Sequence, residues 1–339
     1  MQTLLISYFI LVRRSNVTVY IRVTKFLRTY MMECNLRRGG LGKIEVVGLF
    51  GRDLKGSYCD RPEQVVQYLN LPQGLENSQF VEVDWDLNIR NPKDERQWNG
   101  TTFEHVFEWI MRNSRDENGK PIMPKVDFVC KRRHLQYLLE PVFKTDKKLL
   151  AKRVQDEPNG APDPKRPIRE YDDMALVYCA NVGLHRVLYA GEVDGLPSDT
   201  ELNNLNATSI VELKTVKFIE QKRLPNWWIQ SALSKSDRLL VGLRDTDGHV
   251  RRLQWFPLDL IEQQAEGSNW SPKDLVSKAR SALDVIAMEM ANADGDSVVM
   301  FEITRSGLKI SKKTPPQYAL KTFQNLAPYE EWARKSAVK

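Results

Sequence analysis

Two short runs set charged side chains two residues apart. "VLYAGEVDGL" (Val187–Leu196) carries Glu192 and Asp194, and "SIVELKTV" (Ser209–Val216) carries Glu212 and Lys214. Positions i and i+2 of a strand share a face, so each run sets two charged groups side by side next to an apolar segment. Three carboxylates packed together cannot all stay ionised without a counter-charge. Oxygen ligands with no His or Cys among them favour Mg2+ or Mn2+ over zinc. Two such ions can clamp the attacking and leaving oxygens of a phosphodiester, and a lysine beside them can orient the water or stabilise developing charge. The expected site therefore has Glu192, Asp194 and Glu212 as metal ligands and Lys214 beside the water. It requires the two strands to be neighbours, with Glu212 eighteen residues after Asp194. That interval holds a loop and a return strand. The competing reading is that both strands turn a charged face to water.

Two further segments carry candidate groups. In "LPNWWIQSAL", Trp227 and Gln230 are three apart on a short helix and share a face. A glutamine amide can hold a substrate oxygen or a water, and a tryptophan can stack a base. The same segment also reads as core tryptophans with a surface glutamine. In "CKRRH", Arg132 or Arg133 is a candidate for the phosphate backbone, against the reading of a solvated helix start.

The elements that must position these groups follow from pattern and composition. With 339 residues, 42% hydrophobic and 28% charged, the chain has ample core for one large domain. Its net charge of +6 suits a polyanionic partner without requiring one. Cys34, Cys59, Cys130 and Cys179, like His105, His134, His185 and His249, are scattered, which argues against a zinc site and for reduced thiols. Phe103, Val106, Phe107 and Ile110 mark the apolar face of one helix, with Thr101 or Thr102 as its cap. Leu275, Ala279, Leu283 and Ile286 mark another, capped by Ser271 with Pro272 at its first position. Strands crowd between Asp173 and Phe256, including a hairpin turning at Asp245–Gly248, and a second hairpin turns at Ser306–Gly307. These patterns predict an α+β fold, a mixed β-sheet core flanked by helices. Residues 1–45 read as an N-terminal extension of uncertain structure and 46–339 as a single catalytic domain. The apolar start is too short to span a bilayer, and its Arg13 and Arg14 follow the apolar run rather than precede it.

In order along the chain, "DFVCKRRHL", "GEVDGL", "IVELKT", "NWWIQSAL" and "LLVGLRD" resemble the DXO family of decapping exoribonucleases, a branch of the PD-(D/E)XK nuclease-like enzymes. The resemblance places the family's arginine motif on Arg132, its Glu-x-Asp on Glu192 and Asp194, its Glu-x-Lys on Glu212 and Lys214, and its glutamine on Gln230. The family's second motif, Gly-x-hydrophobic-x-Glu, has no counterpart in "KTDKKLLAKRVQDE" (Lys144–Glu157). The resemblance implies a hydrolase at RNA 5′ ends that uses Mg2+ or Mn2+, as two ions. It would remove incomplete, unmethylated or NAD caps or a 5′ pyrophosphate, with or without 5′-3′ exoribonuclease activity. Its implied partners are RNA 5′ ends and a 5′-3′ exoribonuclease, with no membrane, in nucleus or cytoplasm. The alternatives are a weakened RNA-binding protein or exonuclease partner of the same fold, and a DNA nuclease.

Overall fold

Met174–Val182 is nine residues of almost unbroken apolar sequence, buried nearly throughout, as a strand covered on both faces must be. It is the eighth strand of a computed structural model that describes residues 7–13, 18–24, 41–52, 57–60, 68–69, 71–88, 103–113, 126–139, 174–197, 210–292, 298–304 and 307–311. Isolated residues 118, 202, 317, 324, 325 and 329 are also described.

The first half of the chain supplies β1 (Ser7–Arg13), β2 (Thr18–Thr24), β3 (Leu41–Arg52), β4 (Tyr58–Cys59), β5 (Tyr68–Leu69), β6 (Val81–Asp86), α1 (Phe103–Asn113), β7 (Phe128–Lys131) and α2 (Arg132–Leu139). The second half supplies β8 (Met174–Val182), β9 (His185–Glu192), β10 (Leu196–Pro197), β11 (Glu212–Val216), α3 (Leu224–Leu233), β12 (Arg238–Arg244), β13 (His249–Pro257), α4 (Leu258–Ala265), α5 (Pro272–Asn292), β14 (Val298–Thr304) and β15 (Gly307–Ile310). Among the described residues, nine strands form one mixed sheet in the order β15-β14-β2-β1-β7-β9-β8-β3-β4, and four form a second in the order β11-β12-β13-β6.

Alternation sorts the side chains into layers. Phe128, Leu176, Tyr178, Val187 and Tyr189 face one way, toward α2, α3 and α5, and join Leu239 and Val241 of the second sheet in the largest core. Val129, Val177, Leu188 and Ala190 face the other way, under α1. The mixed α+β architecture is the expected one. The predicted helices are in place, and Ser271 caps α5: its Oγ accepts the Asp274 N–H at 3.1 Å. The hairpin at Asp245–Gly248 is formed, and β14 pairs with β15. Thr101, Thr102 and Ser306 lie outside the described residues.

Two expectations differ from the structure. The main sheet runs across the boundary drawn at residue 45: β1 pairs with β7, β2 with β14, and β3 begins at Leu41. And β9 and β11, expected as neighbours in one sheet, belong to different sheets. Beyond β9, a bridge among the described residues joins them, with the Val211 N–H donating to the Gly195 carbonyl at 3.2 Å.

Candidate active site

The chain switches from β7 to α2 between Lys131 and Arg132. The Lys131 N–H donates to Nδ1 of buried His134 at 3.4 Å, a side chain three residues on closing the turn as in a capping box. This turn aims Arg132 across Gly191 of β9. A Cβ at 191 would stand 2.8 Å from Arg132 Nε, 2.9 Å from its Cδ and 3.0 Å from its Cβ, so only glycine admits the arginine here. The guanidinium donates through Nη1 to Glu212 and through Nη2 to the Glu192 carbonyl at 2.9 Å.

Glu212 opens β11, and parity puts Glu212, Lys214 and Val216 on the side of the largest core. Glu212 and Lys214 are both buried. Lys214 Nζ donates to Glu212 Oε2 at 3.3 Å and to the Leu213 carbonyl at 3.1 Å. Asp194 approaches from the other sheet, its Oδ2 accepting the Leu213 N–H at 2.9 Å. The bridge between Gly195 and Val211 makes that approach possible, because it brings the residues flanking each side together.

The four charges are unequal. Burial, and next the charge of Glu212, push the Asp194 carboxyl above the ordinary carboxylate range, although Lys214, the Leu213 N–H and Arg132 pull against them. Burial also opposes ionisation of Glu212, but Arg132 and Lys214 outweigh it and hold that carboxyl below its usual value. Glu212 is thus a fixed anion between two cations, and Asp194 is the carboxyl that takes a proton first.

Of the expected residues, the structure brings Arg132, Asp194, Glu212 and Lys214 together. The expected trio of carboxylates is corrected. Glu192 is the last residue of β9 and pairs with Ala175, so it continues the row of Leu188 and Ala190 on the α1 side. Its charge acts on Lys131, while its carbonyl receives Arg132. The strand ends there, and the two-residue alternation does not carry through Val193 to Asp194. Among the described residues, no three His, Cys, Asp or Glu side chains gather to hold a metal.

Trp227 is also corrected: it is 4% exposed and packs edge-on against Phe256, with no free face for a base. Trp228 is buried too, its Nε1 donating to Glu262 at 2.7 Å. Gln230 is half-buried on α3, a helix tied to α2 through the Gln136–Asn226 side-chain bond. Arg132, expected on the RNA backbone, gives both terminal nitrogens to the protein itself, and Arg133 is the exposed member of that pair. Sequence reasoning passed over Gly191 and Gly195, although glycine next to a strand's polar end signals a close backbone approach.

The donor set is all hard oxygen: the Asp194 and Glu212 carboxylates with the Glu192 and Leu213 carbonyls close by. That chemistry fits one hard divalent cation whose remaining positions are filled by water or substrate.

A half-buried Asp and a buried Glu-x-Lys pair joined at the ends of two mixed-sheet strands, with helices packed between, define a nuclease-like α+β protein. The chain belongs to the family described as RAI1 like PD-(D/E)XK nuclease, whose model matches residues 144–324, more than half of the chain. Among curated relatives, the "Decapping and exoribonuclease protein" of Mus musculus is 29% identical over 128 residues, 34% of this chain and 32% of that protein. The "Decapping and exoribonuclease protein Rai1" of Drosophila melanogaster is 30% identical over 143 residues, 38% of this chain and 36% of that protein. The matched region spans about a third of the length of these relatives. The fold is also that of Candida albicans Rai1, solved in complex with pU5-Mn2+, with a TM-score of 0.67, 14% identity, and coverage of 90% of this chain and 100% of that one. Scheffersomyces stipitis Rai1, solved with (3'-NADP)+ and calcium ion, gives a TM-score of 0.66 at 13% identity, covering 91% of this chain and 100% of that one.

Proposed function

We propose that the chain hydrolyses phosphate linkages at RNA 5′ ends, with Mn2+ or Mg2+ as the metal. The observation that carries this reading is the buried Arg132–Glu212–Lys214 network with Asp194 brought to it across the junction of two sheets. The names of the curated relatives, as decapping exoribonucleases, and the nucleotide and metal complexes of the Rai1 structures support the choice of substrate.

Asp194 and Glu212 would hold the cation, with the Glu192 and Leu213 carbonyls as further donors. When bound, a divalent ion supplies Lewis-acid polarisation of the phosphate and lowers the pKa of a coordinated water. The chain's own groups divide the remaining work. Arg132 and Lys214 keep Glu212 ionised and fixed. Lys214 also supplies positive charge where the phosphate oxygens gain negative charge. Lys214 also orients the attacking water, whose oxygen bonds to phosphorus as the bond to the leaving oxygen breaks and whose proton passes to solvent. Arg133, exposed on the first turn of α2, meets the RNA backbone in place of Arg132. Gln230 orients substrate or water from α3.

A second reading has one observation in its favour. Only two carboxylates are gathered among the described residues, which suits an RNA-end binding protein or an exoribonuclease partner with weakened turnover. Matched RNAs labelled at a triphosphate, guanosine-capped or NAD-capped 5′ end separate the two. Label release with Mn2+ that stops on adding chelator is the expected result. Tight binding without release supports the second reading. Preferential cleavage of DNA of the same sequence overturns the substrate class.

A further inference from the structure

Tyr178 sits in the middle of β8, fully buried, on the sheet face that carries Arg132. Its ring lies against that of Tyr189, its partner in the ladder, with centroids 5.2 Å apart and planes 18° from parallel. The two hydroxyls differ. Tyr189 Oη donates to the Leu233 carbonyl at 2.8 Å, whereas no backbone or side-chain group among the described residues bonds Tyr178 Oη. A hydroxyl shut away from water without a partner is destabilising, and native proteins satisfy such groups, commonly with an internal water.

The neighbours of Tyr178 say what would satisfy it. Its ladder partner Tyr189 is two residues before Gly191, over which Arg132 lies. The charges of Arg132, Glu212 and Asp194 all reach the hydroxyl, after the effect of burial itself. An enclosed O–H donor thus borders a cluster rich in carboxylate oxygens, and Asp194 keeps part of its surface open to solvent. Arg132 in turn donates to Glu212, and Asp194 accepts the Leu213 N–H of the same strand, so a water beside Tyr178 would find its polar partners among these groups.

We propose that Tyr178 is a positioning residue: its hydroxyl holds a water that bridges to the carboxylates of Asp194 and Glu212 and fixes their mutual geometry. This rests on the hydrolytic reading of the same four charged groups. It adds a polar group from a third strand, β8, to a site otherwise built by β9, β11 and α2.

Two measurements test it. A high-resolution crystal structure of the metal-free protein should show an ordered water within hydrogen-bond reach of Tyr178 Oη and of a carboxylate oxygen of Asp194 or Glu212. A dry contact there overturns the proposal, whether or not the protein turns over RNA. In the 5′-label release assay, Tyr178→Phe should lower kcat about tenfold while leaving KM and Tm unchanged, the scale of one lost hydrogen bond to the reacting assembly. An unchanged kcat, with or without a higher Tm, marks an idle hydroxyl and overturns the proposal. Wild-type protein that shows the water but releases no label contradicts the hydrolytic reading alone, whereas active wild type with a dry Tyr178 contradicts this inference alone.

Discussion

Glu212 holds two cations where water is nearly excluded, and its neighbour Asp194 is pushed toward its neutral form by burial and by Glu212 itself. Breaking such a buried pair by removing one partner leaves uncompensated charge and costs about 3–5 kcal/mol. Lys131, just before Arg132, offers a check on the electrostatics of the adjoining α1 face. Burial lowers its pKa from 10.5 to about 8, with Glu192 acting against that shift. Between these two values the unfolded chain holds the proton and the folded one does not. Stability should therefore rise with pH across this window, and the penalty is fully present below about 8. Lys131→Met removes this dependence. Its advantage over wild type in chemical denaturation should shrink as pH rises from 8 to 10.5. A constant advantage would mean that Lys131 keeps its ordinary proton affinity in the folded chain.

The elements explain why so small a set of residues converges. Gly191 lets Arg132 lie on β9, so Gly191→Ala should dislodge the arginine. The expected cost is about 1–3 kcal/mol of stability, read from denaturant midpoints, together with loss of label release. Wild-type activity in that variant would show that Arg132 does not need its place. Ser271 caps α5 and bonds none of the four charged groups, so Ser271→Ala should remove about 1 kcal/mol through the lost cap and leave turnover untouched. Helices and strands were legible because apolar periodicity is local: α1, α5 and the β12–β13 hairpin follow their patterns closely. Pairing was not, because a strand's sequence carries its face but not its neighbour. Hence β9 and β11 read as partners in one sheet, while the structure sets them in two and joins them by a bridge. Glu192 and Asp194 read as a same-face pair because nothing local marks the strand's end at Glu192. The basic run at Lys131–His134 read as one exposed cluster, although only Arg133 is exposed. Arg132 finds Glu212 eighty residues away, and His134 turns inward to close the helix start.

At the scale of the whole molecule, the site lies where two sheets meet across a shared core, with α2 and α3 lining the same layer. A net charge of +6 favours approach of a polyanion, and such attraction weakens with salt. No described helix is long and apolar enough to cross a membrane. The family match over residues 144–324 covers Asp194, Glu212 and Lys214 but begins after Arg132, so the arginine's place in the site rests on geometry alone. The most direct test compares wild type with Glu212→Gln, a substitution that keeps the side chain's shape and removes its charge. Both are incubated with 5′ cap-labelled RNA and Mn2+, after circular dichroism has shown the variant folded. A fall in label release of about a hundredfold or more is predicted, the scale seen when one preorganised polar group of a reacting site is removed. Equal release by the two proteins would contradict the assignment of the Arg132–Asp194–Glu212–Lys214 cluster as the active site.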